Sequence, residues 1–300
     1  MSILTQEQFN TLLIPIIYHQ FDVGMKMVPS MRSELFNVQS SQVATEYGTG
    51  IGGMSPDAWA AYKDTGRKGQ LDFDQLYTQG YTHQEYPVEV IIRKQLLMND
   101  QYGIINKIIQ RVGISAEIRQ EEDAASLLNN AFNTSFTFSD GKPLCSATHP
   151  RGPNTTGSYS NLNTVALTEQ SLSDARVAMM KFKDDKGNLI GLMPNELWVP
   201  PDLQDTAIKV TQSINESASA NNAVNAQANR WTVRTWMRLT DTNNWFIMDG
   251  MWRQQVANWY NRENFQVMLT RETTTELVYE FKLHYSYGVD DWRFVYGQNV

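Results

Sequence analysis

The stretch from residue 96 to residue 150 constrains this chain more than any other part of the sequence. No proline occurs between residues 99 and 133, and apolar residues recur there at helical spacing: Ile104, Ile105, Ile108, Ile109, Val112, Ala124, Leu127, Leu128 and Ala131. The pattern predicts one helix of roughly 30 residues, which would be about 45 Å long. A compact enzyme domain seldom needs such a rod, whereas a flat and extended building block does.

Two features inside this helix affect how it is used. Gly103 and Gly113 each make the helix less stable by about 1 kcal/mol relative to alanine, so we expect the helix to break or bend there. Four charged residues follow in the middle of the helix, and we expect most of them to face solvent or a partner: Arg119, Glu121, Glu122 and Asp123.

Composition excludes several classes of protein. A chain of 300 residues with 41% hydrophobic residues can form two packed domains, or one domain with long insertions. The net charge of −7 argues against general affinity for nucleic acid or anionic membranes. Cys145 is the single cysteine, which excludes an intramolecular disulfide and any multi-cysteine metal site. The sequence has neither a membrane-spanning run nor a secretory signal, so we expect a soluble intracellular product.

The N-terminal third of the sequence predicts a helix, an arm and a hairpin. Thr5 and Gln8 form a capping-box pattern before an apolar helix face, and Pro15 is expected to kink or end that helix. Residues 25–53 predict an extended arm. Residues 54–93 alternate apolar and polar side chains between turns, which predicts a long hairpin. An isolated two-stranded ribbon is marginal in water, so we expect a neighbouring subunit to support it.

The rest of the sequence predicts helices followed by strands. A helix begins near Thr168, a strand covers residues 197–199, and Pro200-Pro201-Asp202 begins a helix that reaches residue 213. The Asn-, Ala- and Ser-rich residues 217–229 predict a loop. Strands are predicted at 231–239, 245–248, 265–269, 277–287 and 292–296. The fourth has the alternation of a half-buried antiparallel strand, with Leu277, Tyr279, Phe281, Leu283 and Tyr285 on one face.

Cys145, His149 and Asp140 are the sharpest catalytic candidates. A nucleophilic cysteine needs a base within hydrogen-bond reach and an acid that orients that base. Residues this close in sequence rarely form such a dyad, and no protease signature surrounds them. We therefore favour a structural turn and predict no catalytic, cofactor-binding or metal-binding residues.

Three other patterns have both a functional and a structural interpretation. Six tryptophans can form a sugar-stacking platform, but aromatic residues at strand spacing are more often core or interface: Trp231, Trp236, Trp245, Trp252, Trp259 and Trp292. The acidic runs 121–123 and 184–185 are more often solvated surface than metal or acid/base sites. The glycines at 48, 50, 52 and 53 lack the lysine of a phosphate-binding loop and predict flexibility.

Several segments of this chain occur together in a specific order. They are residues 86–103, Arg119-Gln120-Glu121, Leu127-Leu128-Asn129-Asn130-Ala131-Phe132, Asp140-Gly141-Lys142-Pro143-Leu144, His149-Pro150, Ser160-Asn161-Leu162, residues 197–203 and residues 285–293. Their order and spacing, over residues 70–300, resemble the major capsid protein of tailed bacteriophages. This family has the Hong Kong phage-type fold, and the resemblance is greatest to its Mu-like head-subunit branch.

The resemblance implies an α+β tailed-phage capsid fold with five segments. These are an N-terminal arm (residues 1–46), an extended β-hairpin loop (47–92), a peripheral domain with the long spine helix (93–165), an α/β axial domain (166–264), and strands that close the antiparallel sheet of the peripheral domain (265–300).

The resemblance also implies a function in assembly rather than catalysis. Identical subunits would form hexamers and pentamers of an icosahedral shell around double-stranded DNA, without sequence-specific binding and without a membrane. Other partners would be the portal, and separate scaffolding or decoration proteins where these exist. The protein would be assembled in the host cytoplasm and reside in the virion. Candidate inter-subunit contacts are Lys63, Arg67, Lys68, Arg119, Glu121, Glu122 and Asp123.

Two departures from the family's type member, and two alternatives, remain. The type member carries a cleaved N-terminal scaffolding segment, whereas here the arm begins near Met1, so we expect scaffolding to be separate or absent. The type member also forms Lys–Asn cross-links, but nothing identifies a partner for Lys63 or Lys68, so no cross-linking is predicted. The alternatives are another virion protein, such as a carbohydrate-binding tail component, and a cysteine hydrolase.

Overall fold

A computed structural model describes residues 6–53, 74–98, 103–153, 155–213 and 224–300. The chain divides into two compact units. Unit 1 takes its described residues from Met1–Glu46, Tyr81–Ala124 and Trp259–Tyr287, and unit 2 from Tyr47–Gly80, Ala125–Asn258 and Gly288–Val300. The predicted hairpin residues 54–73, which include Lys63, Arg67 and Lys68, and residues 217–223 of the predicted loop lie outside the described residues.

The described helices and strands have these bounds in chain order. The helices are α1 (Gln6–Lys26), α2 (Arg32–Leu35), α3 (Lys94–Met98), α4 (Ile104–Asn129), α5 (Glu169–Met180), α6 (Gln204–Gln212) and α7 (Gly250–Val256). The strands are β1 (Asn37–Ser40), β2 (Thr45–Ile51), β3 (Gln75–Thr82), β4 (Gln84–Arg93), β5 (His149–Gly152), β6 (Thr155–Tyr159), β7 (Leu162–Asn163), β8 (Glu196–Val199), β9 (Thr232–Thr235), β10 (Trp245–Met248), β11 (Ala257–Glu272), β12 (Glu276–Val289) and β13 (Val295–Gln298).

Unit 1 is built on a four-stranded sheet in the order β1-β11-β12-β4. Strands β4 and β12 pair antiparallel, from Gln84 opposite Tyr285 to Arg93 opposite Glu276. The buried face of β12 meets residues of α1 and α4 in one apolar core: Ile17, Phe21, Ile105, Ile109, Leu277, Tyr279 and Phe281. The predicted face of β12 is buried at Leu277, Tyr279, Phe281 and Tyr285 and partly buried at Leu283. The alternation is incomplete, because Val278 on the opposite face is also buried. Each such buried side chain contributes about 1.5–3 kcal/mol.

The pairing of the predicted hairpin differs from the structure. β3 pairs with β2 in a separate two-stranded sheet, while β4, expected to be part of the hairpin, lies at the end of the unit 1 sheet beside β12. Alternation of apolar and polar residues identifies a strand and its buried face, but it does not identify the strand's partner. The sequence therefore predicted both strands and misassigned the partner of the second.

The predicted long helix is present as α4, which has 26 residues and is about 39 Å long. The break expected at Gly103 is confirmed, because this glycine has a φ of 65° immediately before the helix begins. At Gly113 the helix continues. A Cβ there would fall on the carbonyl oxygen of Phe21 in α1, and a Cβ at Gly24 of α1 would fall on that of Gln110. These two glycines therefore allow α1 and α4 to cross in backbone contact. Helix α1 itself continues through Pro15 to Lys26.

Unit 2 is built on a mixed five-stranded sheet in the order β7-β13-β10-β8-β9. Strand β8 is parallel to β9 and antiparallel to β10, and β10 is antiparallel to β13. The central strands β8 and β10 are buried at every position and share a core with α5 and α6: Leu172, Ala175, Met179, Leu197, Val199, Ala207, Val210, Trp245 and Ile247. The strands predicted at 197–199 and 245–248 are confirmed.

Local capping explains where two helices of unit 2 begin. Thr168 accepts a hydrogen bond from the Ser171 N–H, and the Ser171 hydroxyl accepts one from the Thr168 N–H, so the predicted start of α5 is confirmed as a capping box. The helix predicted after Pro200 is also confirmed, as a 3₁₀ turn at Pro201–Leu203 followed by α6. Helix α7 was not predicted; Asp249 caps it by accepting the Met251 and Trp252 N–H groups.

Candidate functional site

The turn after α4 joins two of the three catalytic candidates. Asp140 Oδ2 lies 2.6 Å from His149 Nδ1, and Asn161 Oδ1 lies 3.1 Å from His149 Nε2. Both ring nitrogens of this buried histidine therefore have partners other than Cys145. The imidazole also stacks on Trp292, with ring centroids 4.2 Å apart. His149 is held on every side as a structural element.

Cys145 is placed for packing rather than for nucleophilic attack. Its side chain is buried, and burial raises the pKa of the thiol above its ordinary value, which disfavours the reactive thiolate. A Cβ on Gly297 would lie 2.6 Å from the Cys145 sulfur and 2.9 Å from the Phe132 ring. The thiol thus fills the space beside Gly297 of β13, where a larger residue would overlap with it. This geometry favours the structural turn over a cysteine hydrolase.

Asn161 connects this turn to β13. Its amide nitrogen donates to the carbonyl oxygens of Leu144 (2.8 Å) and Val295 (3.2 Å), and its Oδ1 accepts the Ser146 N–H at 2.8 Å. A fully buried amide with this many partners fixes one geometry for the turn. Sequence reasoning included Asn161 only within a resembling segment, because its partners are distant in sequence.

The acidic residues of α4 hold the arm of the same chain. Glu121 is 2% exposed, and its carboxylate accepts hydrogen bonds from the Ser30 hydroxyl (2.8 Å), the Met31 N–H (3.1 Å) and the Arg32 N–H (2.9 Å). One turn earlier, Glu117 binds the Arg32 guanidinium at 3.1 Å. Helix α2 has no side-chain cap of its own, so Glu121 satisfies the free N–H groups at its start.

Asp123 belongs to a second network between α4 and the sheet of unit 1. It is 8% exposed and accepts the Tyr285 hydroxyl at 2.7 Å, while Arg119 binds its other oxygen at 2.8 Å. Burial, followed by this hydrogen bond to Asp123, raises the pKa of Tyr285. Tyr86 stacks on Tyr285 with centroids 4.7 Å apart, and Trp259 stacks on the same tyrosine at 4.6 Å.

The exposure of these residues separates the candidate inter-subunit contacts on α4 into two buried and two exposed side chains. The expectation that most mid-helix charges face solvent or a partner is wrong for Glu121 and Asp123, which are buried and bonded within unit 1. Arg119, with 53% of its side chain exposed, and Glu122 lie on the surface of α4. For these two the inter-subunit role stays a prediction, as it does for Lys63, Arg67 and Lys68, which lie outside the described residues.

The tryptophans do not form the platform that a carbohydrate-binding protein needs. Trp252 is partly buried and the other five candidates are buried: Trp231, Trp236, Trp245, Trp259 and Trp292. Their rings lie in the cores of the two units or stack on other aromatic residues. The core interpretation of the tryptophans is therefore confirmed, and the carbohydrate-binding alternative loses its main support.

Two polar clusters, one buried and one partly buried, are not visible in the sequence. In unit 2, Glu196 binds Arg253 through both oxygens (3.0 and 3.2 Å) and accepts the Trp198 indole N–H at 3.0 Å. The only signal was a charged residue directly before the buried strand 197–199. Arg253 is too distant in sequence for the pairing to be visible.

The second missed cluster surrounds His83 in unit 1. Its ring nitrogens lie 3.0 Å from the Ser41 hydroxyl and 2.9 Å from the Ser286 hydroxyl. Burial, together with the nearby His284 and Arg262, lowers the pKa of His83 below its ordinary value. Glu46 accepts the Ser41 hydroxyl at 2.7 Å, so the cluster joins the arm to the sheet.

The described residues offer little for other kinds of site. Within them, no three His, Cys, Asp or Glu side chains converge as metal ligands would. No helix in the described part of the chain has both the length and the hydrophobicity needed to cross a bilayer.

The fold and these sites define a structural protein, with a mixed α+β architecture whose polar clusters connect its own segments. The chain belongs to the phage capsid protein family, because the model of that family matches residues 75–297. The predicted resemblance is thus confirmed at the level of the family and its fold. No curated protein matches the sequence.

Solved structures with the same fold include shells of different kinds. The capsid of bacteriophage JBD30 is 15% identical with a TM-score of 0.56, over 71% of this chain and 92% of that chain. The virus-like particle from Pyrococcus furiosus is 9% identical with a TM-score of 0.52, over 96% of this chain and 99% of that one. An encapsulin complex from Synechococcus elongatus is 11% identical with a TM-score of 0.52, over 91% and 87%. At these identities the similarity concerns the fold alone.

Proposed function

We propose that this chain is the major head protein of a tailed bacteriophage of the Mu-like branch. Identical copies form hexamers and pentamers of an icosahedral shell that encloses double-stranded DNA. The family match over residues 75–297 carries the proposal. Assembly takes place in the host cytoplasm and the shell is part of the virion. The portal, and separate scaffolding or decoration proteins, are its expected partners.

The exposed side of α4 supports a surface for neighbouring subunits. Six of its exposed residues recur every three or four positions and so form one stripe: Ile104, Ile108, Arg111, Ser115, Arg119 and Glu122. Beside it, a groove of about 470 Å³ is lined by Phe21, Val88, Val112 and Phe281. Val88 and Ile91 of β4 are each 55% exposed. Apolar side chains on a strand at the end of a sheet favour association with another chain.

We keep the five predicted segments as the proposed domain organisation. The arm, extended loop, peripheral domain, axial domain and closing strands have the boundaries given above. In this scheme Arg119 and Glu122 contact neighbouring subunits from the spine helix, and Lys63, Arg67 and Lys68 contact them from the loop. Many weak contacts of this kind add up to a stable closed shell while each remains reversible during assembly.

The charge of the chain supports enclosure of DNA without tight binding. A net charge of −7 leaves few counterions to be released on contact with phosphate groups. We therefore expect weak DNA binding by the free subunit and nuclease protection only inside closed shells.

Negative-stain electron microscopy of the purified protein tests the proposal. We expect closed shells or sheets of capsomers, and a protein that stays strictly monomeric at high concentration would refute a capsid function. Glu122→Lys tests the spine surface separately. We expect fewer shells from this variant and unchanged stability of the free subunit. Normal shells from Glu122→Lys would remove that residue from the contact surface and leave the capsid function standing.

A further inference from the structure

The hairpin of β2 and β3 has a defined base in unit 2. The Gly52 N–H donates to the carbonyl oxygen of Asp74 at 2.7 Å, which is the last described hydrogen bond between its two strands. Residues 54–73 connect Gly53 to Asp74 in the sequence. The position of this end of the hairpin therefore depends on what holds Gly53 and Asp74.

The turn Lys183–Asn188 contacts both strands at this base. The Gly53 N–H donates to Asp185 Oδ1 at 2.5 Å, and the Lys186 ammonium lies 3.6 Å from the Asp74 carboxylate. Asp185 is 3% exposed, so its carboxylate lies largely out of water and its bond to Gly53 is partly buried. The expectation that Asp184 and Asp185 form a solvated surface is thus wrong for Asp185.

The two glycines that follow β2, Gly52 and Gly53, are needed for this close approach. A Cβ on Gly53 would fall on the Asp184 carboxylate, and a Cβ on Gly52 would lie 3.0 Å from Asp185 Oδ2. Any larger residue at position 53 would push the strand away from the turn. The glycine-rich run that predicted flexibility is explained here by tight packing.

The turn itself is held in one conformation. Asp184 Oδ1 accepts the Asn188 N–H at 2.8 Å, and Gly187 has a φ of 93° that L side chains rarely adopt. Arg151 donates to the Asp185 carbonyl oxygen at 3.0 Å. Because the turn has one conformation, the chain at Gly53 that is hydrogen-bonded to it is held in one position.

We propose that Asp185 is a positioning residue, which clamps Gly53, and with it the adjoining end of the β2–β3 hairpin, against the turn Lys183–Asn188. The inference rests on the proposed function, because a neighbouring subunit meets the hairpin only in an assembly. Loosening the clamp releases this end of the hairpin from the turn and so disturbs the regular closure of the shell.

The experiment compares three substitutions in the full chain. Asp185→Ala removes the acceptor, Asp185→Asn keeps an oxygen that can accept the Gly53 N–H, and Asp174→Ala removes an exposed carboxylate of α5 as the matched control. Hydrogen–deuterium exchange of the peptide containing Gly53 is measured on the free subunit. We expect exchange roughly tenfold or more faster in Asp185→Ala, since hydrogen bonds to charged acceptors are among the stronger ones. Exchange close to wild type is expected in the other two.

Electron microscopy of the assembled material gives the second readout. We expect Asp185→Ala to give shells of broadened diameter or open shells, and Asp185→Asn and Asp174→Ala to give uniform ones. Gly53→Ala attacks the clamp from the side of the strand and should reproduce the Asp185→Ala result. If faster hydrogen–deuterium exchange in β8 and β10 shows that Asp185→Ala has lost its fold, Gly53→Ala decides the test in its place.

Two results would overturn the proposal. Unchanged Gly53 exchange in both Asp185→Ala and Gly53→Ala would show that the clamp does not exist. Faster exchange with shells identical to wild type would show that the clamp does not position the hairpin for assembly, while the capsid function would stand. A wild-type protein that stays strictly monomeric at high concentration would instead remove the proposed function.

Discussion

Replacing Glu121 by alanine should detach the arm from the spine helix of unit 1. The Glu121 carboxylate accepts three hydrogen bonds, from the Ser30 hydroxyl and from the Met31 and Arg32 N–H groups. Alanine at this position leaves these donors without their acceptor, at the start of a helix that has no other side-chain cap. The loss is local, because the bonds connect one turn of α4 to three consecutive residues of the arm.

The magnitude follows from the burial of the three donors. A hydrogen-bond donor deprived of its acceptor costs about 1–3 kcal/mol when buried. Ser30, Met31 and Arg32 are only partly buried, so water can reach them and the lower limit applies to each. We therefore expect Glu121→Ala to lower the free energy of unfolding by about 3 kcal/mol. Glu121→Gln keeps one acceptor oxygen and should lose less.

Urea unfolding of the unassembled subunit measures this change, and hydrogen–deuterium exchange across residues 30–36 localises it. The neighbouring residue provides the control, since Glu122 is exposed and Glu122→Ala should change stability by no more than about 0.5 kcal/mol. If Glu121→Ala were as stable as Glu122→Ala, or if exchange in the arm did not change, the assignment of Glu121 to the arm would be refuted.

Three further outcomes are expected from the buried clusters. The pKa of His83 is lower in the folded unit than in the unfolded chain, so the unfolded chain takes up a proton first as the pH falls below about 6.5, and stability is lost from there downward. Urea unfolding between pH 7.5 and 5 should show a smaller loss in His83→Gln, and an identical pH dependence in both proteins would contradict this. Gly297→Ala should lower the free energy of unfolding by about 1–3 kcal/mol, because the new Cβ overlaps with Cys145 and Phe132. Adding Cys145→Ala should recover part of that loss, and additive effects of the two substitutions in thermal unfolding would argue against the contact. Asp140→Ala should lower the free energy of unfolding by about 2 kcal/mol, because it leaves the buried His149 Nδ1 without its partner, and Asp140→Asn should lower it less. Equal urea midpoints for Asp140→Ala and the wild type would show that the pair contributes nothing to stability.

Sequence reasoning succeeded where a single segment contains its own signal. The capping box at Thr168 and the alternating face of β12 are visible within a few residues, and both are present in the structure. It failed where the determining partner is distant in sequence. Strand β4 was assigned to the hairpin although β12 is its partner, and Asp185 was expected in solvent although Gly53 lies against it. Glu196 and Arg253 show the same limit, since neither residue indicates the other.

The spine helix shows how part of this limit can be overcome. Its buried face follows the positions Ile105, Ile109, Gly113, Glu117, Glu121, Ala124 and Leu128, which are separated by three or four residues throughout. Glu117 and Glu121 therefore continue the apolar stripe, and a carboxylate on such a stripe must find donors inside the fold, because burying an unpaired charge is too costly. Glu122 lies about 100° further around the helix than Glu121 and is exposed. Position on the helix, rather than membership of an acidic run, thus separates the buried charges that hold the arm from the exposed charge of Glu122.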